Sequence, residues 1–163
     1  NFRWAGVPFY IRTGKRMKRK GTEIVIQFKQ IDNVLYFKEH DTLIPNLLVI
    51  KIQPKEGLYF QFNGKEPGNE KKITPMQMDF CQNCKFENNS PEAYEKLLFD
   101  VMKGDSTLFT RWDEVEYSWG FAEEILKLWR DDLSNFPNYS AGSEGPKAAA
   151  KLLLNDGKKW WKV

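Results

Sequence analysis

Several short segments in the first half of the chain alternate apolar and polar residues, and this alternation limits the fold more than any other feature. A period of two places apolar side chains on one face of a β-strand and polar side chains on the other. Short turns between such segments favour an antiparallel sheet with one buried face. The predicted strands are residues 22–29, 47–53, 58–62 and 73–80, together with residues 7–12 and a weaker candidate at 34–37.

The second half of the chain changes to a helical period. Residues 90–92 (Ser-Pro-Glu) have the residue types of a helix N-terminus, and an apolar stripe follows over residues 94–102. We expect a second helix to begin near Thr110, with Asp113 as a capping partner, and a third to cover residues 146–154. Strands followed by helices indicate one α+β domain, a large and mostly antiparallel sheet with helices covering one face.

Composition and charge exclude several classes of protein. The net charge of +3, from 25 cations and 22 anions, does not suggest a general nucleic-acid binder. No apolar run approaches the roughly 20 residues that span a bilayer, and no signal-peptide pattern is visible at Asn1. The only two cysteines are Cys81 and Cys84, and so few predict reduced thiols in a cytoplasmic protein.

Few motifs in the chain carry chemistry. The Cys-x-x-Cys pair would need two further ligands to hold zinc, and His40 is the chain's only other good one. His40 has no obvious carboxylate partner, so we do not expect it to act as a general base. Glycine-rich loops of the nucleotide-binding type are absent from the sequence. We therefore predict no metal site and no catalytic residue in these 163 residues.

A cluster of cations follows the predicted strand at residues 7–12. Five of the seven residues from 14 to 20, the basic turn, are lysine or arginine. A solvated charge run, a nucleic-acid contact and a site for a small anionic or polyhydroxylated ligand all fit this composition. Lysines can bind phosphate as point charges or donate hydrogen bonds to sugar hydroxyls. The residue types alone leave these three alternatives open.

Longer motifs show a family resemblance. In chain order they are GVPFYIRTGK, TEIVIQFK, NLLVIKIQP, MDF, EAYEKLLFD, GDSTLFTRWDEVE and YSAGSEGP, which lie between residues 6 and 146. This series resembles the C-terminal domain of glucose-6-phosphate dehydrogenase. The resemblance implies that residues 1–163 form a single substrate-binding and dimerisation domain, and that the family's N-terminal dinucleotide-binding domain is absent from this chain.

The resemblance also implies an activity for the full-length protein. That protein is expected to oxidise glucose 6-phosphate to 6-phosphogluconolactone with NADP (or NAD) in the pentose phosphate pathway, as a cytoplasmic homodimer joined through the sheet. The present chain should be inactive alone, because it lacks the catalytic base and the nicotinamide site. We expect no nucleic-acid or membrane partner. The alternative is a stand-alone oligomerisation or sugar-phosphate-binding module.

Individual residues receive roles through the same resemblance. The lysine of the RTGK motif, Lys15, is expected to contact the substrate, together with Lys20 and, more weakly, Gln53, while Arg12 supports the turn. Some family members hold a second, structural NADP through basic residues. The matching positions here are Gly21, Val25 and Glu144, none of them cationic, and Arg12 and Lys51 match two further positions but cannot form that site alone. We therefore expect no structural NADP.

Overall fold

The computed structural model describes residues 2–30, 43–68, 72–81, 93–131 and 136–161. It contains a short 3₁₀ turn at Phe2–Trp4, followed by strands and then helices. The strands are β1 (Thr22–Gln27), β2 (Leu47–Gln53), β3 (Gly57–Lys65) and β4 (Ile73–Cys81), and the helices are α1 (Ala93–Lys103), α2 (Trp112–Asp131) and α3 (Lys147–Asn155). The predicted α+β class is confirmed.

The chain divides into two compact units. The first unit is formed by Asn1–Lys85 and Tyr139–Val163, and therefore holds the sheet, the basic turn and α3. The second unit is Phe86–Asn138 and holds α1 and α2.

The sheet has the order β1-β2-β3-β4, and every neighbouring pair is antiparallel, as predicted. Val25, Val49, Tyr59 and Asp79 lie opposite one another in one row across the four strands, so their side chains share a face. Val49 is fully buried on this face. The opposite face is apolar and exposed, and its side chains include Ile24, Ile26, Ile52, Leu58, Met76, Met78 and Phe80.

Residues 7–12 belong to no strand of the described sheet, so the strand predicted there is wrong. Alternation in sequence fits any extended chain, whereas a strand also requires a neighbouring backbone to pair with. Side chains of this segment instead contact the C-terminal part of the chain. The Tyr10 hydroxyl donates a short hydrogen bond to the Asp156 carboxylate, and Phe9 and Ile11 remain exposed.

The first helix agrees with the apolar stripe expected over residues 94–102. α1 ends at Lys103, and Gly104 follows in the left-handed region with φ +71°. The amides of Gly104 and Asp105 donate to the carbonyls of Val101 and Asp100, which satisfies acceptors that the helix end would leave open.

The other two helices begin within two residues of the predicted positions. α2 starts at Trp112 rather than at Thr110. The Asp113 carboxylate accepts two hydrogen bonds from the Arg111 guanidinium instead of capping the helix through Thr110. α3 starts at Lys147, directly after Pro146.

Several predictions concern residues outside the described part of the chain. They are the weak strand at 34–37, His40, Cys84 and the helix start at 90–92. One cysteine can be assessed. Cys81 is disulfide-bonded, so the expectation of reduced cysteines is wrong at this position.

Candidate functional site

The basic turn is attached to a segment more than 120 residues away in sequence, the 139–145 loop. The Tyr139 hydroxyl donates a hydrogen bond to the Lys15 carbonyl at 2.7 Å. The Gly142 amide donates to the Arg16 carbonyl at 2.8 Å, and the Lys18 amide donates to the Ser143 carbonyl at 2.9 Å. Three hydrogen bonds across four residues fix the backbone of this turn.

Close packing accompanies these hydrogen bonds. A Cβ atom at Gly14 would lie 2.9 Å from the Tyr139 hydroxyl and 3.0 Å from the Met17 sulfur, which is too close for an unstrained side chain. Arg16 has φ +55°, a left-handed conformation that non-glycine residues rarely adopt. The basic turn is therefore closely packed, and its shape depends on the 139–145 loop.

The cations of the basic turn are not equivalent. Lys18 forms an exposed ion pair of 3.5 Å with Glu144 of the 139–145 loop. Lys15 and Lys20 are exposed, and their ammonium groups form no ion pair or hydrogen bond with any residue that the structure describes. The ammonium groups of the two lysines predicted to contact substrate are therefore without partners in the described part of the chain.

Gln53 lies at the end of β2, opposite Thr22 at the start of β1. Its side-chain amide donates to the Thr22 hydroxyl at 2.8 Å and is exposed. Lys20 precedes Thr22 by two residues, so their Cα atoms are at most about 7 Å apart. The fold thus brings Gln53 and Lys20 to the same end of the β1–β2 pair.

Arg12 and its neighbours attach the chain before the basic turn to the C-terminal segment. The Arg12 guanidinium lies 4.8 Å from the centre of the Trp160 ring, within the range of a cation–π contact. The Trp160 indole N–H donates to the Ala149 carbonyl of α3 at 2.9 Å. The hydrogen bond from Tyr10 to the Asp156 carboxylate raises the pKa of the Tyr10 phenol. Arg12 therefore contacts the C-terminal segment, and its predicted support of the basic turn stays a prediction.

Sequence reasoning missed two parts of this arrangement. It assigned no role to Tyr139 or to the two tryptophans at the C-terminal end. Trp161 lies against Tyr59 of β3 with ring centres 5.7 Å apart. The only signal in the sequence was the YSAGSEGP motif, which contributed to the resemblance without indicating what it contacts.

A cavity of about 380 Å³ lies at the β2–β3 turn. Its lining includes Lys51, Lys55, Asp79 and Cys81 but neither Lys15 nor Lys20. The lysines therefore lie on an open surface of this unit rather than in that cavity. Among the residues that the structure describes, no group of three or more histidine, cysteine, aspartate or glutamate side chains could hold a metal ion.

Comparison with known proteins identifies the family. The model of the family "Glucose-6-phosphate dehydrogenase, C-terminal domain" matches residues 1–161. The chain belongs to this family.

Relatives in the family are similar over the whole chain. Glucose-6-phosphate 1-dehydrogenase of Bacillus subtilis is 52% identical over 163 residues, covering 100% of this chain and 33% of the relative. The enzyme of Mycolicibacterium smegmatis is 45% identical over 98% of this chain and 32% of the relative. The chain thus spans about a third of the length of the curated relatives it matches.

Solved structures of the family share the fold. A glucose-6-phosphate dehydrogenase in complex with its substrate glucose-6-phosphate matches 91% of this chain and 30% of its own, with a TM-score of 0.73 and 30% identity. The Mycobacterium avium enzyme matches 100% of this chain and 33% of its own, with a TM-score of 0.70 and 29% identity. In the part of this chain that the structure describes, no helix is both long enough and apolar enough to cross a bilayer.

Proposed function

We propose that the chain is the C-terminal part of a glucose-6-phosphate 1-dehydrogenase. The full-length, cytoplasmic enzyme oxidises glucose 6-phosphate to 6-phosphogluconolactone and reduces NADP in the pentose phosphate pathway. This part, a single C-terminal domain, contributes substrate contacts and a dimer surface, and is inactive alone. Membership of the family and the 52% identity to the Bacillus subtilis enzyme support the proposal.

One structural observation carries the site assignment. Lys15 and Lys20 have exposed ammonium groups without partners among the described residues, on a turn whose backbone is fixed by the 139–145 loop. Ammonium groups held on a fixed backbone are suitable donors to the hydroxyl and phosphate oxygens of a sugar phosphate. We propose that both lysines bind glucose 6-phosphate in this way.

The contribution of these residues to the reaction is positioning. NADP, when bound, supplies the nicotinamide that accepts hydride from C1 of the sugar. Lys15 and Lys20 fix the orientation of the sugar ring, and Gln53 adds an amide contact at the end of β2. Correct orientation of a reacting carbon contributes several kcal/mol to lowering a barrier. No residue of this chain is proposed as the catalytic base.

Two preparations test the proposed function. The full-length protein should produce NADPH from glucose 6-phosphate, and residues 1–163 alone should produce none above background. NADPH production by the isolated 163 residues near the rate of the full-length enzyme would contradict the proposal. A native protein whose mass corresponds to 163 residues would instead support the alternative, a stand-alone sugar-phosphate-binding or oligomerisation module.

A second, structural NADP does not fit the residues of this chain. Lys51 lies 3.8 Å from the Asp79 carboxylate and opposite Glu23 in the sheet. Glu144 adds another carboxylate, paired with Lys18. Carboxylates at these positions would repel the phosphates of a dinucleotide. We therefore propose a single NADP, bound outside this chain.

We further propose that the full-length enzyme is a homodimer joined through the sheet. The face carrying Val49 is unsuitable because Val49 is buried and Trp161 lies against Tyr59. The opposite face exposes Met78 and Phe80 by 60% and 58%, and apolar surface of this kind is typical of protein interfaces.

A charge on the apolar face tests this interface. Met78→Glu would place a carboxylate in it and should shift the full-length enzyme towards monomer in sedimentation velocity. Gln77→Glu is a matched control, because the neighbouring residue is exposed on the other face. A Met78→Glu enzyme that dimerises as tightly as the parent would exclude this face.

A further inference from the structure

Among the described contacts between the two segments, Tyr139 is the residue of the 139–145 loop whose side chain hydrogen-bonds to the backbone of the basic turn, whereas the Glu144 side chain forms an ion pair with the Lys18 side chain. Its hydroxyl donates to the carbonyl of Lys15 itself. The other two hydrogen bonds join backbone atoms of Arg16 and Lys18 to Gly142 and Ser143. A substitution at Tyr139 can therefore remove the restraint on Lys15 and leave the others in place.

The restraint acts at the peptide group that sets the direction of the Lys15 side chain. Fixing the Lys15 carbonyl limits the ψ angle of Lys15, and the adjacent Arg16 is already held at φ +55°. The absence of a Cβ atom at Gly14 allows the Tyr139 hydroxyl to approach the turn, since such an atom would lie only 2.9 Å from it. The backbone on both sides of Lys15 is thus held, while its ammonium group remains free of described partners.

We propose that Tyr139 is a positioning residue that holds the Lys15 side chain in the orientation in which it contacts substrate. This proposal rests on the proposed function, in which Lys15 binds glucose 6-phosphate. A preorganised donor binds more tightly than a mobile one because less conformational freedom is lost on binding. Tyr139 does not touch the substrate in this account, and its whole effect passes through Lys15.

The test is a double-mutant cycle in the full-length enzyme. Tyr139→Phe removes one neutral hydrogen bond and keeps the aromatic ring, so the KM for glucose 6-phosphate should rise about threefold to tenfold. The kcat and the melting temperature should change little. In the Lys15→Ala background, Tyr139→Phe should have no further effect on KM, because the side chain that it positions is gone.

Tyr10→Phe is the matched control. Tyr10 also donates its phenol hydrogen to a group far away in sequence, the Asp156 carboxylate, but it does not contact the basic turn in the described structure. Its loss should leave the KM for glucose 6-phosphate unchanged. A larger rise in KM for Tyr10→Phe than for Tyr139→Phe would overturn the specific role of Tyr139.

The outcomes separate this inference from the proposed function. If Lys15→Ala weakens substrate binding but Tyr139→Phe does not, the positioning role is wrong and the proposed function stands. An equal effect of Tyr139→Phe with and without Lys15 would also overturn the positioning role. If Lys15→Ala itself leaves KM and kcat unchanged, the assignment of Lys15 is wrong, and the inference fails with it.

Discussion

Two turns of this protein connect neighbouring segments but are stabilised in different ways. The basic turn, residues 14–20, is held by hydrogen bonds from the 139–145 loop, and its bond to Tyr139 spans 124 residues. The connection between α1 and α2, residues 104–111, is held by bonds that span no more than five residues in sequence. The first turn therefore forms only when distant parts of the chain have come together.

The difference corresponds to what each turn does. The α1–α2 connection ends one helix and leads into the next, for which local hydrogen bonds suffice. In the proposed function, the basic turn holds two lysines in a fixed place relative to a bound sugar, which flexible local bonding would not achieve. A restraint from a remote loop supplies that rigidity, and it also makes the turn sensitive to substitutions far from it.

The largest expected effect is at Lys15. In the full-length enzyme, Lys15→Ala should remove the charged hydrogen-bond donor that we propose for the substrate, a loss of about 1.5–3 kcal/mol. The kcat/KM for glucose 6-phosphate should therefore fall roughly 10-fold to 100-fold in steady-state NADPH assays. Lys18→Ala is the control, because its exposed pair with Glu144 contributes little to binding or stability. An equal loss of kcat/KM in the two variants would mean that the basic turn acts through its overall charge and not through a specific contact of Lys15.

A smaller effect is expected when a glycine is replaced by alanine, once in each of the two units. Gly14→Ala would force a Cβ atom against Tyr139 and Met17, so the first unit should lose about 1–2 kcal/mol of stability and bind substrate more weakly. Gly120→Ala in α2 meets no atom within 4 Å and should stabilise its helix by about 0.5–1 kcal/mol. Chemical denaturation of the two variants would measure both changes. A stabilising Gly14→Ala would show that the basic turn is not closely packed.

The smallest effect concerns the α1–α2 connection and depends on pH. The Thr107 hydroxyl and, to a smaller extent, its backbone amide donate to Asp105 and lower the pKa of that carboxyl below its ordinary value of 3.8. A lowered pKa stabilises the fold above the unfolded-state pKa, and this contribution is lost as the pH falls through the folded-state value.

Thr107→Ala should therefore reduce the thermal stability of the enzyme slightly at pH 7. The difference from the parent should shrink as the pH is lowered below about 4, the range in which Asp105 becomes protonated in the unfolded chain. Melting curves recorded between pH 3 and pH 7 would measure this difference in melting temperature. A difference that is constant over this range would mean that the Asp105 carboxylate is not what Thr107 stabilises.

Local patterns predicted much of the fold. The strand at Leu47–Gln53 and the end of α1 at Lys103 follow from alternation and from a glycine after a helical stripe. The segment at residues 7–12 shows the limit of such reasoning, because it alternates like a strand but has no partner in the described sheet. Whether an extended segment becomes a strand depends on a neighbour that its own sequence does not specify.

The roles of Lys15, Lys20 and Gln53 stay predictions that rest on the family resemblance. The concentration of cations at residues 14–20 is visible directly in the sequence. The contact between Tyr139 and Lys15 is not, since no local pattern relates residues 124 positions apart. The pairing of Lys18 with Glu144, which distinguishes Lys18 from Lys15 and Lys20, has the same long-range origin.

The position of the substrate relative to Lys15 tests the central claim most directly. A crystal structure of the full-length enzyme with glucose 6-phosphate should show the Lys15 Nζ within about 3.2 Å of a substrate oxygen, with the Tyr139 hydroxyl still bonded to the Lys15 carbonyl. Glucose 6-phosphate bound elsewhere, with the Lys15 ammonium group facing solvent, would contradict the account.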